Sequence, residues 1–234
     1  MGKLWVPERI DEPELMDAPG LPSAEVQDAY RVLRRVNRQL GNLRTIRREF
    51  RRFLQEDVAG RDSILVLDLG SGSGDIPLAL QELVGGSRSA QVIAFDRDET
   101  AVSEAFRRSL PTIRGDALRL PFANGSVDLV TAVKFAHHFS GASLTRLILE
   151  MARVAKYRVV VLDIRRHRLA YWGFQAWCRL FTSNRLVRYD GPLSVLRGFT
   201  RDELLGEVAL IAGYTWEVQS YFGFQLALIG RRLK

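Results

Sequence analysis

A glycine-rich turn flanked by carboxylates is the stretch of this sequence whose residue types best suit the binding of a ligand. In VLDLGSGSGD (66–75) an apolar run ends in three alternate glycines, with an aspartate on either side. The residues concerned are Asp68, Gly70, Gly72, Gly74 and Asp75. Carboxylates here oppose a pyrophosphate, because each repulsion at ~4 Å and an effective dielectric constant of ~20 costs about 4 kcal/mol. The residue types therefore favour a flat, sugar-bearing and positively charged ligand.

Two common phosphate-binding loops are excluded by the same stretch. The dinucleotide fingerprint Gly-x-Gly-x-x-Gly needs a third glycine so that helix and strand can pack closely. Counted from Gly70 the third position is Asp75, and counted from Gly72 it is Pro77. A P-loop would require Gly-Lys-Ser/Thr after the turn, and this combination does not follow it.

Alternating short apolar runs and amphipathic segments predict the elements that position this turn. Strands are predicted at 64–70, 90–96, 112–116, 127–133 and 157–163, and helices near 75–84, 98–109 and 143–154. The strands are rich in Val, Ile and Leu without alternation, which is typical of burial on both faces, and the intervening helices indicate a parallel sheet. The predicted fold class is α/β, a Rossmann-like, doubly wound and mostly parallel sheet.

Two regions are predicted from this pattern. Residues 1–62 are expected to form an N-terminal helical extension, and residues 63–234 the α/β domain. Within the domain, residues 166–200 are expected to be a substrate-side insertion or lid, with a helix over 167–183 and an irregular segment around 190–192.

The C-terminal end of the chain carries clearer local signals. Thr200 and Glu203 are spaced as a capping box, which predicts that a helix begins there. The last two β-like runs are separated by Gly223, and this pattern predicts an antiparallel hairpin that closes the sheet.

The charge of the chain is positive and unevenly distributed. A net charge of +7 and a pI near 10.0 bring nucleic acid and anionic lipid into consideration as partners. Nine arginines and one acidic residue lie between Arg31 and Arg52, where apolar residues recur at spacings of three and four. This pattern predicts an amphipathic helix, or a pair broken near Gly41-Asn42. Its arginines either lie in solvent or form a surface facing an anion or a membrane.

Several sequence features bear on location and on cysteine chemistry. The N-terminus is acidic and interrupted by prolines, without the basic-then-apolar order of a signal peptide, and no long uncharged apolar run predicts a membrane span. A cytoplasmic location is therefore predicted. The single cysteine, Cys178, is expected to be a packed residue rather than a nucleophile.

The segment from about Ser63 to Arg165 resembles the class I S-adenosylmethionine-dependent methyltransferases. The acidic-x-Gly-x-Gly-x-Gly loop of that family is seen at 68–74, and its LPF-x-x-x-S-hydrophobic-D pattern at 120–128. The resemblance implies S-adenosylmethionine as cofactor, with Asp96 on the ribose and Asp116 near the adenine. The cofactor-binding residues expected from it are Asp68, Gly70, Ser71, Gly72, Gly74, Asp75, Asp96, Arg97, Asp116, Ala117 and Lys134.

Some of these carboxylates also have a purely structural interpretation. An aspartate at the end of a strand often only caps the next helix. Asp98 is the better cap and would leave Asp96 free. Asp75, with Pro77 in the first helical turn, is placed either purely as a cap or as both a cap and a ligand contact.

The resemblance also places two histidines beside the methyl donor. Just past the fourth strand the chain reads KFAHHF (134–139), where adenine-methylating enzymes carry Asn/Asp-Pro-Pro-aromatic. His138 is the preferred general base and His137 the alternative, unless the pair is structural. No cluster of ligands in the sequence suggests a metal.

Features outside the common domain resemble methyltransferases associated with polyketide synthases and, more distantly, those that methylate quinones. The matching features are Val36-Asn37-Arg38, the His-His-Phe motif, Asp163 with Arg165, and Asp190-Gly191-Pro192-Leu193-Ser194. Arg185, Arg188 and Arg197 depart from this pattern, since they would suit a negatively charged acceptor.

The sequence therefore predicts methyl transfer to a hydroxyl, or alternatively an activated carbon, of a small apolar or aromatic metabolite such as a polyketide or quinone precursor. Two other functions stay open. One is an RNA methyltransferase that uses the arginine-rich helix, although nucleic acid is not the favoured partner. The other is a module that binds S-adenosylmethionine without transferring the methyl group. The sequence predicts neither the acceptor nor the oligomeric state.

Overall fold

A computed structural model of the chain describes residues 6–18, 20–84 and 89–233, and within them seven strands form one mixed sheet. The strands are β1 (Ser63–Leu69), β2 (Ser89–Asp96), β3 (Thr112–Arg114), β4 (Val127–Val133), β5 (Ala155–Ile164), β6 (Tyr214–Tyr221) and β7 (Gln225–Arg232). Their order is β3-β2-β1-β4-β5-β7-β6, and β7 runs antiparallel to the other six strands. The predicted α/β fold with a C-terminal antiparallel hairpin is confirmed.

The helices pack on both faces of this sheet. They are α1 (Ser23–Gln39), α2 (Asn42–Glu56), α3 (Asp75–Val84), α4 (Glu99–Arg107), α5 (Gly141–Val154), α6 (Arg168–Phe181), α7 (Arg185–Arg197) and α8 (Arg201–Val208). In β1, Val66 joins an apolar cluster with α2 and α3, whereas Leu67 joins a cluster with α5 on the opposite face. The strands lack polar alternation because both faces are buried.

The arginine-rich region forms two helices, α1 and α2, separated at Gly41, which is the second of the two predicted alternatives. Gly41 adopts a φ of +85°, a left-handed conformation that glycine adopts without steric cost. The apolar stripe of α2 packs on the sheet through Ile46, Phe50 and Phe53, so its arginines face outward or pair with acids. The end of α1 is tied to the C-terminal hairpin, because Gln225 Nε2 donates to the Leu40 carbonyl at 2.7 Å.

The irregular segment predicted around 190–192 was wrong, because α7 continues through it with Pro192 inside the helix. Aspartate, glycine and proline favour a turn locally, but three-dimensional contacts outweigh that preference. The Asp190 carboxylate accepts the backbone N–H groups of Leu15 and Met16 at 2.7 and 3.0 Å. A Cβ added at Gly191 would lie 2.0 Å from the Phe174 ring, so α6 packs directly on this glycine.

Other local predictions agree with the structure. Thr200 and Glu203 form the predicted capping box of α8, and Cys178 is buried with Sγ 3.6 Å from the Val187 carbonyl. Burial raises the pKa of the Cys178 thiol to about 11, which disfavours the nucleophilic thiolate. Of the helices in the described ranges, none has the length and apolar character needed to cross a bilayer.

Candidate active site

A cavity of about 1630 Å³ lies at the carboxyl ends of the parallel strands. The glycine turn after β1, the ends of β2 and β4, and helices α1, α6 and α7 form its walls. Open parallel sheets bind ligands at this edge, where the strand order reverses on either side of the first strand. The lining is polar near the glycine turn and apolar along α6, so a single cavity offers two kinds of surface.

Most of the predicted cofactor-binding residues line this cavity. They are Gly70, Ser71, Gly72, Asp75, Asp96, Arg97, Asp116, Ala117 and Lys134. Asp68 and Gly74 do not. Asp68 is buried behind the turn, where Thr131 Oγ1 donates to Oδ1 at 2.5 Å, and burial raises the pKa of the Asp68 carboxyl to about 8. A Cβ added at Gly74 would lie 2.6 Å from the Leu110 side chain, so this glycine serves packing against the neighbouring layer.

The two glycines of the turn that line the cavity have left-handed backbones, and at Gly70 there is also no room for a side chain. Gly70 has a φ of +63°, and an added Cβ would lie 2.1 Å from Cδ2 of Phe135. Gly72 has a φ of +52°, and an added Cβ would lie 3.4 Å from the Tyr30 ring. The turn therefore presents bare backbone to the cavity, as a close approach to a ligand requires.

Asp96 at the end of β2 holds the glycine turn in place and faces the cavity. Its Oδ2 accepts the Gly72 N–H at 2.8 Å, and its Oδ1 accepts the Asp98 N–H at 3.0 Å. Asp98, as predicted, caps α4 by accepting the Ala101 N–H. Burial raises the pKa of Asp96. Each carboxylate oxygen keeps a lone pair for another donor, so the arrangement fits the two hydroxyls of a ribose.

Helix α1 is connected to the glycine turn through Asp75, the first residue of α3. Asn37 Nδ2 donates to Asp75 Oδ2 at 2.8 Å, and Asn42 Nδ2 donates to Asn37 Oδ1 at 2.8 Å. Burial raises the pKa of Asp75, and the Asn37 hydrogen bond opposes that rise. Asp75 therefore fastens the N-terminal extension to the cofactor side of the cavity.

His137 lies in a short 3-10 helix (Ala136–His138) after β4 and is almost completely buried. Its Nδ1 is 2.8 Å from Asp163 Oδ1, and its Nε2 is 3.4 Å from Glu14 Oε1. Burial alone would lower the pKa of His137, but the two carboxylates outweigh it and raise the pKa to about 9. His137 is therefore an imidazolium at neutral pH and is unsuited to accept a proton.

His138 is the more accessible of the two histidines, with its side chain 24% exposed. Its Nδ1 is 3.0 Å from Asp17 Oδ2, and its Nε2 is 3.7 Å from Glu14 Oε2. The Asp17 carboxylate at Nδ1 orients the imidazole, and Glu14 lies beyond hydrogen-bond distance of Nε2. His138 is thus the more accessible of the two candidates, and its role as a base stays a prediction.

Glu14 was missed in the sequence because it lies far from the histidines along the chain. Donor atoms of Glu14, His137 and His138 all lie within 4.8 Å of one another, a spacing that a divalent cation would accept. The carboxylates that raise the pKa of His137 make a proton compete with a metal at its Nε2. The expectation of a site without a metal stays a prediction, and a chelator tests it.

Lys134, at the end of β4, has a left-handed backbone with φ +55°. Such conformations are uncommon for residues other than glycine and are concentrated at functional sites. Its N–H donates to the Leu162 carbonyl at 2.8 Å, which continues the strand pairing and holds the conformation. Burial lowers the pKa of the Lys134 ammonium to about 8, and Asp163 opposes that change.

The predicted lid region contributes the apolar wall of the cavity through Leu169, Phe174 and Trp177 of α6. Its arginines do not build the anionic acceptor site that the sequence suggested. Arg185 pairs with Glu25 at the surface. Arg197 lines the cavity, but its Nε donates to the His137 carbonyl at 3.1 Å, so it supports the histidine turn.

Residues 66–167 match the family described as "Methyltransferase domain". The chain is 35% identical over 98 residues to the uncharacterized methyltransferase YcgJ of Bacillus subtilis, covering 39% of this chain and 36% of that protein. It is 27% identical over 116 residues to demethylmenaquinone methyltransferase of Staphylococcus aureus, covering 46% and 48%. The chain thus spans half or less of the length of these relatives.

A solved structure with a similar fold is that of the plantazolicin methyltransferase BamL in complex with a triazolic desmethylPZN analog and SAH. It has a TM-score of 0.67 and 13% sequence identity, and the match covers 92% of each chain. At that identity the similarity shows the fold alone.

Proposed function

We propose that the protein, whose residues 66–167 match a methyltransferase domain, transfers the methyl group of S-adenosylmethionine to a hydroxyl of a small apolar or aromatic acceptor. The observation that carries the proposal is the pairing of His138 with Asp17 on the cavity wall. Methylation of a hydroxyl releases a proton, and a positioned base contributes about 10²–10⁴-fold to such a step.

The cofactor half of the cavity supplies binding and orientation. Bound S-adenosylmethionine provides an electrophilic methyl group on a sulfonium, which an acceptor attacks in line. The backbone of Gly70 and Gly72 and the carboxylate of Asp96 are the groups that fit the cofactor. Holding two reactants in line removes an entropic cost that is worth several kcal/mol.

The histidine half of the cavity stands close to the glycine turn. Phe135 packs against Gly70 on one side, and its ring centroid lies 6.2 Å from that of His138 on the other. A single aromatic ring therefore separates the cofactor turn from the proposed base. In the proposed step the acceptor hydroxyl donates its proton to His138, and Asp17 stabilises the imidazolium that forms.

The walls of the acceptor half support an apolar ring rather than a charged group. Phe174 and Trp177 stack with ring centroids 5.6 Å apart and line the cavity. Relatives of similar fold or sequence are named for acceptors as different as demethylmenaquinone and plantazolicin, so the fold leaves the acceptor open. The aromatic wall and the single base together favour a phenol-like or enol-like hydroxyl.

The RNA alternative depends on the arginines of α1 and α2. Part of that charge is neutralised within the protein, since Arg31, Arg47 and Arg52 pair with Asp28, Glu82 and Glu49. The alternative of a non-catalytic binding module leaves the buried network of histidines and carboxylates without a purpose. We therefore rank both below methylation of a small molecule.

Incubation with radiolabelled S-adenosylmethionine and a cell extract separates these functions. The extract is divided afterwards into small-molecule, RNA and protein fractions. We expect label in the small-molecule fraction. Label confined to RNA, together with RNA binding that withstands ~0.2 M salt and selects one sequence, would reverse the ranking. A protein that binds the cofactor but labels nothing would be a binding module.

A further inference from the structure

An apolar stripe on the outer face of α6 remains exposed to solvent. Leu169, Trp172, Ala176 and Leu180 follow one another at spacings of three and four, so they lie on the same helix face. Trp172 is 61% exposed and Leu180 76% exposed. Large apolar side chains that cluster on a surface mark an interaction site more often than single ones do.

The tip of the β6–β7 hairpin lies beside the N-terminal end of α6. Phe222 at that tip is 97% exposed. Phe224, two residues further on, stacks on His167, just before α6, with ring centroids 5.1 Å apart, and its carbonyl accepts the Arg165 N–H at 2.8 Å. We name the α6 stripe and the adjacent hairpin tip together the α6 face.

Basic residues border the α6 face, and acidic residues are missing from the same stretch of sequence. Between residues 164 and 189 the chain contains six arginines and no aspartate or glutamate. Arg165, Arg168 and Arg179 are exposed, and none forms an ion pair with an acidic group of the described chain. Arg35 of α1 lies over the Phe181 ring at 5.3 Å, which adds a further positive charge at this edge.

We propose that the α6 face docks on an anionic membrane surface, with Trp172, Leu180 and Phe222 inserted and the arginines on lipid headgroups. A helix with an apolar face and arginines beside it lies in the plane of a bilayer interface in this way. Tryptophan favours the same depth because its ring is amphipathic. Nucleic acid would use the arginines but would leave Leu180 and Phe222 against a polar backbone.

The position of the α6 face gives docking a role in the reaction. Leu169 and Gly173 are exposed on this face and also line the cavity, as do Gly223 and Phe224 at the hairpin tip. The opening of the cavity therefore faces the bilayer when the α6 face is docked. This orientation favours an acceptor whose hydroxyl-bearing ring is attached to a lipid tail, an inference that rests on the proposed function.

Flotation with vesicles tests docking without any need for acceptor or turnover. Full-length protein is mixed with phosphatidylcholine vesicles that contain or lack phosphatidylglycerol. We expect co-flotation with the anionic vesicles and much weaker binding to the neutral ones. Trp172→Ser with Leu180→Ser should weaken binding at least tenfold, and Arg179→Gln about fivefold, because one arginine near an anionic surface contributes about that factor.

Matched control variants change the same residue types elsewhere. Phe106→Ser with Leu210→Ser removes two exposed apolar side chains off the α6 face, and Arg51→Gln removes an exposed arginine of α2. Both controls should float like the wild type. None of the substituted side chains lines the cavity, so cofactor affinity and the thermal unfolding midpoint should be unchanged in all four proteins.

Three results would overturn the proposal. The first is absence of co-flotation by the wild type. The second is equal flotation of the wild type and the Trp172/Leu180 double variant. The third is a dimer in sedimentation that this double variant converts to a monomer, which would show that a second copy covers the α6 face. Methylation of a water-soluble phenol in the absence of vesicles tests the proposed function separately. Failure of membrane docking therefore does not imply failure of methyl transfer, and failure of methyl transfer does not imply failure of docking.

Discussion

The carboxylate of Asp163 receives two hydrogen bonds from His137, one from ring Nδ1 at 2.8 Å and one from the backbone N–H at 3.0 Å. Both residues are buried, so the pair fixes the turn after β4 to the end of β5. Opposite charge lowers the pKa of Asp163 to about 2 against the effect of burial. The orientation of the next residue, His138, depends on this fixed turn.

The His137–Asp163 pair predicts a specific dependence of stability on pH. The folded pKa of His137, about 9, is above its ordinary 6.5, so its stabilisation is complete below pH 6.5 and is lost as pH rises through 9. His137→Gln should lower the free energy of unfolding by about 3 kcal/mol at pH 6 because it removes the imidazolium that pairs with the buried Asp163 carboxylate. Urea denaturation should show that the difference in free energy of unfolding between the wild type and the variant narrows between pH 6.5 and 9. A difference that stays constant would contradict the assigned charge of His137.

A close approach at Gly70 predicts that even one methyl group disrupts the cofactor turn. In Gly70→Ala the new Cβ would meet Phe135 at 2.1 Å, so the turn or the ring must move. We expect loss of measurable binding of S-adenosylmethionine in calorimetry. Gly125→Ala is the matched control, since Gly125 has nearly the same φ, +61°, but nothing within 4 Å of an added Cβ. If both variants lose affinity equally, backbone strain and not the close approach is responsible.

Asp96 is predicted to contribute directly to cofactor affinity. Asp96→Ala should weaken S-adenosylmethionine binding by about 1.5–3 kcal/mol, the range for hydrogen bonds that involve a charged group. Calorimetry of the folded variant measures the change. Asp202→Ala, which removes an exposed carboxylate outside the cavity, should bind like the wild type. Unchanged affinity in Asp96→Ala would remove this residue from the cofactor site.

The role of His138 can be separated from cofactor binding by its kinetic signature. His138→Gln should lower turnover at least tenfold at saturating cofactor and leave cofactor affinity intact, because the base acts only on the acceptor. The defect should shrink for an acceptor whose hydroxyl is already ionised at the assay pH. His167→Gln is the control, since His167 does not line the cavity. Equal turnover of His138→Gln and the wild type would make the histidines structural.

The donor set of Glu14, His137 and His138 makes metal dependence a separate question. If His137 Nε2 carries a proton, dialysis against a chelator should leave turnover and the thermal unfolding midpoint unchanged. Metal analysis of the purified protein provides the second measurement. Loss of activity on chelation, restored by one divalent cation, would show that the cluster is a metal site instead.

The cofactor side of the cavity could be predicted from the sequence because its residues are close together along the chain. Gly70 to Asp75 follow one strand, Asp96 ends the next, and the strand order brings these ends together. The resemblance to S-adenosylmethionine-dependent methyltransferases is confirmed by the match over residues 66–167 and by the fold.

The acceptor side could not be predicted in the same way. Glu14 and Asp17 lie in a proline-interrupted segment without periodicity, and only the folded chain places them on His137 and His138. Asp190, predicted to begin an irregular segment, is instead held in a helix by two backbone N–H groups from that N-terminal segment. The leucine and methionine between Glu14 and Asp17 were the one local signal that this acidic segment is anchored.

The hydrogen bonds from Leu15 and Met16 to Asp190 also determine when a newly made molecule becomes competent. On the ribosome the N-terminal segment emerges first, whereas α7 is completed only after β5 and α6. Until then Glu14 and Asp17 lack the scaffold that holds them beside the histidines, whereas strands β1 to β5 have already been made. The five parallel strands can therefore pair before the acceptor side of the cavity is complete.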